Sequence, residues 1–208
     1  GNPALEPLRA RSFDAYAEWY LPHRGLLSFG VFHKDTDDPI FNAVQELDGT
    51  AFGFPQNRVR LSGPLNGSDA SITGFEFNYS QQFGFLPEPW DGCGTSINYT
   101  QAEDEAQTPP LFNEATGLND GASRESGLAG ASDETYNLSI FYEKYGISTR
   151  LTYQYRSAWL NAINLSNPDQ DRFWDERPSL DFSFRYAQNE NITYFLDANN
   201  LTDEFGRR

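Results

Sequence analysis

The sequence predicts an all-β protein made of one run of antiparallel strands. Three observations carry this. Residues 71–83 alternate with period two: Thr73, Phe75, Phe77, Tyr79 and Phe83 fall on one side, and Gly74, Glu76, Asn78, Ser80 and Gln82 on the other. That is the pattern of a strand with one apolar and one polar face. The same alternation returns in seven further segments, joined alternately by short turns and long polar stretches. No window is apolar enough for a membrane-crossing helix, and the 208 residues suffice for one domain.

The strands follow in order. Residues 2–7 are a turn-rich lead-in punctuated by Pro3 and Pro7. Residues 12–20 set Phe13, Ala15, Ala17 and Trp19 against Ser12, Asp14, Tyr16 and Glu18, and residues 26–34 return after the turn around Pro22. Residues 35–70 read as a long irregular region in which Arg58, Val59, Arg60 and Leu61 suggest one short strand. After 71–83, the turn at Leu86-Pro87-Glu88-Pro89 leads to a strand at 93–101. Residues 102–133 are polar and rich in small residues, the mark of a second long loop. Strands at 134–143 and 147–157 flank a tight turn at Lys144-Tyr145-Gly146. A third loop spans 158–177, and strands at 178–186 and 192–199 close the series around Gln188-Asn189-Glu190-Asn191.

Eight strands with short turns at one end and long loops at the other suit a transmembrane β-barrel of the outer-membrane type. Tyr79, Phe83, Tyr99, Tyr142 and Tyr186 lie near strand ends, as in an interfacial aromatic girdle. A soluble β-sandwich also alternates, so the pattern leaves a soluble antiparallel ligand-binding module, for carbohydrate among other ligands, as the other reading. The two differ in what Phe75, Phe77 and Tyr79 meet: a second sheet, or lipid.

Charge and chemistry narrow the function. Thirty Asp and Glu against fifteen Lys and Arg give a net charge of -15 without a basic patch, which argues against nucleic acid as a partner. The single Cys93 excludes an internal disulfide framework. His23 and His33 stand in no metal-ligand spacing and have no evident serine partner, so neither a metal site nor a catalytic site is expected, and no cofactor. Asp35-Thr36-Asp37-Asp38 and Asp169-Gln170-Asp171 offer oxygens to calcium but follow no spaced calcium loop, and solvated loop acids account for them equally.

Four stretches resemble the C-terminal part of a TonB-dependent outer-membrane receptor. They are Gly1-Asn2-Pro3-Ala4-Leu5-Glu6-Pro7, the strand Gly25-Leu26-Leu27-Ser28-Phe29-Gly30, the strand Gly74-Phe75-Glu76-Phe77-Asn78-Tyr79 with its Leu86-Pro87 turn, and Asn199-Asn200-Leu201-Thr202-Asp203-Glu204. The resemblance implies that residues 1–208 are the C-terminal portion of a barrel of about 22 strands around a plug. The plug, the early strands and the final strand then lie outside this chain. It implies the bacterial outer membrane, no enzymatic activity, and TonB-coupled uptake of a scarce nutrient such as an iron chelate (siderophore), cobalamin or oligosaccharide. The implied partners are the plug and the other strands of the same receptor, TonB through the missing N-terminal part, outer-membrane lipid and the small nutrient ligand.

The candidate site has two parts. Glu76, Asn78, Arg150, Gln154, Arg156, Asp181 and Arg185 form the polar-face set, which in a barrel faces the lumen or the plug. The plainer account is that these groups satisfy one another, and contact with structure weighs above contact with substrate. Arg58, Arg60, Trp159, Phe173 and Trp174 are the loop candidates: the aromatics to grip a ring-bearing ligand or to pack the loop, the arginines to offset the acidic surface.

Overall fold

The computed structural model describes residues 2–55, 58–111, 113, 116, 120–165 and 167–204. In chain order the strands are β1 (Arg9–Leu21), β2 (Gly25–Asp37), β3 (Ile40–Asp48), β4 (Arg58–Asn66), β5 (Asp69–Gln82), β6 (Cys93–Gln107) and β7 (Glu125–Ser126). They continue with β8 (Glu134–Lys144), β9 (Ile147–Arg156), β10 (Trp159–Asn164), β11 (Arg172–Trp174), β12 (Arg177–Asn189) and β13 (Ile192–Ala198). A large sheet runs β1-β2-β5-β6-β8-β9-β12-β13, with the short β7 beside the far end of β6. A second sheet runs β11-β10-β3-β4. Among the described residues the large sheet does not close on itself, and β1 and β13 are its edges.

All eight expected strands are present, and they follow one another across the large sheet in sequence order, antiparallel throughout. Its register keeps the two faces unmixed. Ala17, Phe29, Phe77, Tyr99, Tyr136 and Tyr155 stand opposite one another in turn across six strands. A slip of one residue anywhere would send every later aromatic to the wrong face. The rings touch along this face. Phe75 lies 5.9 Å from Phe29 and 5.8 Å from Tyr99, and Tyr136 stacks on Tyr155 at 4.8 Å.

No second sheet covers that apolar face among the described residues, and Phe29 (49 %), Val31 (46 %) and Ile140 (63 %) stay exposed on it. The small sheet sits instead over the loop end of the polar face, where Ala70 and Ala106 are cross-strand partners. The observation that would have made this a sandwich is therefore absent.

Glycines let the polar face knit. Tyr16 is paired with Gly30, Phe32 with Gly74 and Phe141 with Gly94. A Cβ at Gly30 would stand 2.2 Å from the Tyr16 ring, and one at Gly94 would stand 2.2 Å from the Phe141 ring. Each ring lies flat over its glycine and covers the backbone that the missing side chain exposes.

The short turns have local causes. Tyr145 and Gly146 take φ of 56° and 76°, which makes the two-residue turn follow the strand twist. His23 and Arg24 carry φ of 59° and 60° between β1 and β2, where Gln81 donates to the carbonyls of Pro22 (3.0 Å) and His23 (3.1 Å). Asn189 accepts from the N–H groups of Asn191 and Ile192 and turns the chain into β13.

The long regions depart from expectation. Residues 35–70 are not an irregular loop, because β2 runs on to Asp37, β5 starts at Asp69, and β3 and β4 form a hairpin between them. The suggested strand at 58–61 is the start of β4. β6 continues to Gln107 inside the expected loop 102–133, and β10 and β11 lie inside 158–177. Backbone pairing continues where the polar–apolar alternation has stopped. The new core joins Phe41, Ala43, Leu160, Ile163 and Leu165 to Ala70 and Ala106. Phe41 is 1 % exposed and rests on Gly67, where a Cβ would stand 2.7 Å from its ring. Phe41→Ala is expected to cost about 3–5 kcal/mol. In hydrogen exchange on the complete protein, β3 and β10 should lose protection while β5 and β6 keep theirs between residues 74 and 101.

Candidate functional site

The polar face of the large sheet is the first part of the site. Its residues come from alternate positions of each strand, so register alone places them side by side. One rung reads Ser28, Asn78, Asn98, Asn137 and Gln154, and the next reads Gly30, Glu76, Thr100, Thr135 and Arg156. All seven expected residues share this face: Glu76, Asn78, Arg150, Gln154, Arg156, Asp181 and Arg185. The polar side also carries Tyr16, Asn98, Asn137 and Ser139, which sequence reading does not single out. Only register shows that Tyr16 reaches across Gly30 to donate to Glu76 at 3.1 Å.

Most of this set is engaged. Asn78 donates to the Ser28 hydroxyl at 3.1 Å. Gln154 donates to Asp181 at 3.3 Å, and Asp181 also accepts from the Ser179 hydroxyl and the Asn200 N–H. Asn200 has φ of 54° and exchanges hydrogen bonds with Glu204, so Asp181 anchors the Asn200-Leu201-Thr202-Asp203 segment. Arg150 lies 4.9 Å from the Phe141 ring centre, on the aromatic that covers Gly94. Arg156 donates to the Ser132 hydroxyl (2.6 Å) and the Gly130 carbonyl (2.5 Å) and lies 3.9 Å from the Trp159 ring centre. It ties the loops to the sheet. Arg185 is exposed.

The loop candidates do not form one cluster. Trp159 and Trp174 are cross-strand partners on β10 and β11 and stack at 6.0 Å. Phe173 pairs with Leu160 and is 52 % exposed, so it is the ring of the three most open to a ligand. In the backbone register Arg60 stands opposite position 46 and Arg58 opposite position 48. Ile163 aligns with Ala43, so Trp159 is four residues toward one end of the small sheet and Arg60 three toward the other. At about 3.3 Å per residue they stand roughly 23 Å apart. Near the arginines, Asp48 accepts from the N–H (2.9 Å) and hydroxyl (2.8 Å) of Thr50, which holds its carboxyl below the ordinary range.

A second polar knot was not legible. Arg124 donates to Asp171 at 2.5 Å, with the Asp171 side chain only 9 % exposed. Asp171 also accepts from the Asn164 N–H, and Thr108, fully buried, accepts from the Arg124 N–H. Asp171, one of the acids offering oxygens to calcium, is thus committed to a guanidinium. The bonded pairs are 7 to 47 positions apart and share no motif. At the short-turn end, Lys144 donates to Asp91 (2.7 Å) and Glu88 (3.0 Å), joining two neighbouring turns.

Seven strands of 10 to 15 residues and a shorter β13, one continuous apolar face without a partner layer among the described residues, and a hydrogen-bonded polar face define a piece of an outer-membrane type β-sheet. Residues 1–201 match the family described as TonB dependent receptor-like, beta-barrel, and the chain belongs to that family. No curated protein matches. Among solved structures the chain resembles the ferric-catecholate import receptor Fiu of E. coli (15 % identity, TM-score 0.60), over 98 % of this chain and 24 % of that one. It also resembles the P. aeruginosa receptor FpvA bound to a ferric pyoverdine (15 %, 0.58; 97 % and 24 %) and a variant of the P. aeruginosa ferric enterobactin receptor PfeA (15 %, 0.60; 98 % and 27 %). The chain spans about a quarter of the length of these receptors. Family membership assigns it to the bacterial outer membrane and to a family of transport receptors, not enzymes.

Asp171→Ala leaves Arg124 without its carboxylate and should cost about 3 kcal/mol. Limited proteolysis of whole cells should then cut within residues 158–176, while the heat-dependent electrophoretic shift of the folded barrel stays unchanged.

Proposed function

We propose that this chain supplies eight consecutive strands, near the C-terminal end, of a plugged barrel of about 22 strands that imports an iron–siderophore complex by TonB coupling. The observation that carries this is the shared fold with three receptors whose ligands are iron chelates, over nearly the whole chain. The unpaired β1 and β13 support it, because lipid does not tolerate open sheet edges and further strands of the same receptor would pair them. In this reading the four short turns face the periplasm and the small sheet faces outward. The plug occupies the polar face, where Glu76, Asn78 and Arg185 meet it. TonB acts through the N-terminal part of the receptor.

Phe173 is the ligand contact, and Trp159 with Trp174 is the pair that holds its hairpin. An exposed aromatic suits an aryl chelator. Deletion of the gene should abolish growth under iron limitation on one ferric siderophore of a catecholate, hydroxamate and pyoverdine panel. Growth on all three would sink the proposal, and loss of growth on an oligosaccharide instead would change the ligand class. In the complete receptor, Phe173→Ala should weaken binding of that chelate by more than about 1 kcal/mol. Trp159→Ala should instead expose the 158–176 region to protease. For orientation, protease added to whole cells should cut near residues 49–53 and spare residues 83–92.

A further inference from the structure

We propose that the outward face of β1, β2, β5 and β6 carries a binding groove for a membrane glycolipid, with one acyl chain below and sugar hydroxyls above. This rests on the reading that the apolar face meets lipid. A cavity of about 640 Å³ lies across these four strands. Its lower wall is Phe13, Ala15, Phe29, Val31 and Phe75, all on the aromatic face and continuous with it. The small Ala15 between Phe13 and the row below leaves the hollow, and Phe13, 69 % exposed, stands as an open ring at its side.

The upper rim is polar and built. His33 Nε2 is 3.0 Å from the Asp35 carboxylate, and His33 Nδ1 is 2.7 Å from the Thr73 hydroxyl. A carboxylate only accepts, so Nε2 carries the proton and, in the neutral ring, Nδ1 accepts from Thr73. That fixes the imidazole and leaves the Thr73 oxygen open as an acceptor. Gln101 and Glu103 complete the rim from β6.

The chemistry of the rim selects the headgroup. It mixes acceptors (Glu103, Thr73) with a group that both donates and accepts (Gln101), while Asp35 stands behind His33. Hydroxyls both donate and accept and match such a set. A phosphate only accepts and would face the Glu103 carboxylate, and an ammonium would leave the Gln101 amide N–H unused. An exposed aromatic beside acid and amide side chains suits the apolar face of a sugar ring.

The test uses the complete receptor in phosphatidylethanolamine vesicles. Two lipids carry the same mid-chain diazirine, a monoglucosyl diacylglycerol and a phosphatidylglycerol, and crosslinks are mapped by peptide mass spectrometry. The glucolipid should label residues 29–33 and 73–75 preferentially, and the phospholipid should label the apolar face evenly. Val31→Trp fills the hollow and should remove the preference of the glucolipid for residues 29–33 and 73–75, and His33→Ala releases the Thr73 hydroxyl and should lower groove labelling about fivefold, the size of one lost hydrogen bond. Both variants face lipid, and the heat-dependent electrophoretic shift checks that they fold. Equal labelling by both lipids, or labelling unchanged in the variants, overturns the groove and leaves the lipid-facing reading intact. No labelling anywhere on the apolar face overturns that reading and the groove with it.

Discussion

Everything in this molecule depends on an uninterrupted backbone ladder. In hydrocarbon no water can satisfy an N–H or C=O, so each must find its partner on the next strand. The large sheet meets this demand by pairing sequence neighbours in order, and the ladder in turn fixes the side chains. Because the period is two, one register decides both which rings share the apolar face and which amides share the polar face. The aromatic row from Phe29 to Tyr155 and the amide row from Ser28 to Gln154 are two consequences of the same pairing.

The strands of the large sheet were legible because each writes that alternation into the chain. Phe75, Phe77 and Tyr79 against Glu76, Asn78 and Ser80 needed no tertiary knowledge. The polar-face residues were legible for the same reason. The small sheet was not. β10 buries Leu160, Ala162, Ile163 and Asn164 in succession, so its side chains do not alternate with solvent and its period is silent. β3 shows alternate burial at Phe41 and Ala43, yet buried Val44 follows at once and breaks the pattern. The ion pair of Arg124 with Asp171 joins two loops that sequence reading treats as separate.

The two candidate sets met different fates in the fold. The polar-face set stays together, because register gathers it, and most of its members are held by neighbours. Arg156 shows why a charged residue on the polar face need not touch a ligand: it uses its donors to bind the turn at Gly130 and Ser132 and its face to cover Trp159. The loop set separates, because sequence proximity within a polar region says nothing about which end of a hairpin a residue occupies. Arg58 and Arg60 belong to one end of the small sheet and the two tryptophans to the other.

The parallel contact between β3 and β10, Ala43 beside Ile163, has a consequence for the order of assembly. Its two strands are 120 positions apart, with four strands of the large sheet and the whole of β4 and β7 between them. A pairing of such separation pays a large loop-closure entropy unless the intervening chain is already ordered. The large sheet must therefore be laid down as far as β9 before β10 can reach β3. The small sheet forms only after the large sheet is in register from β1 to β9.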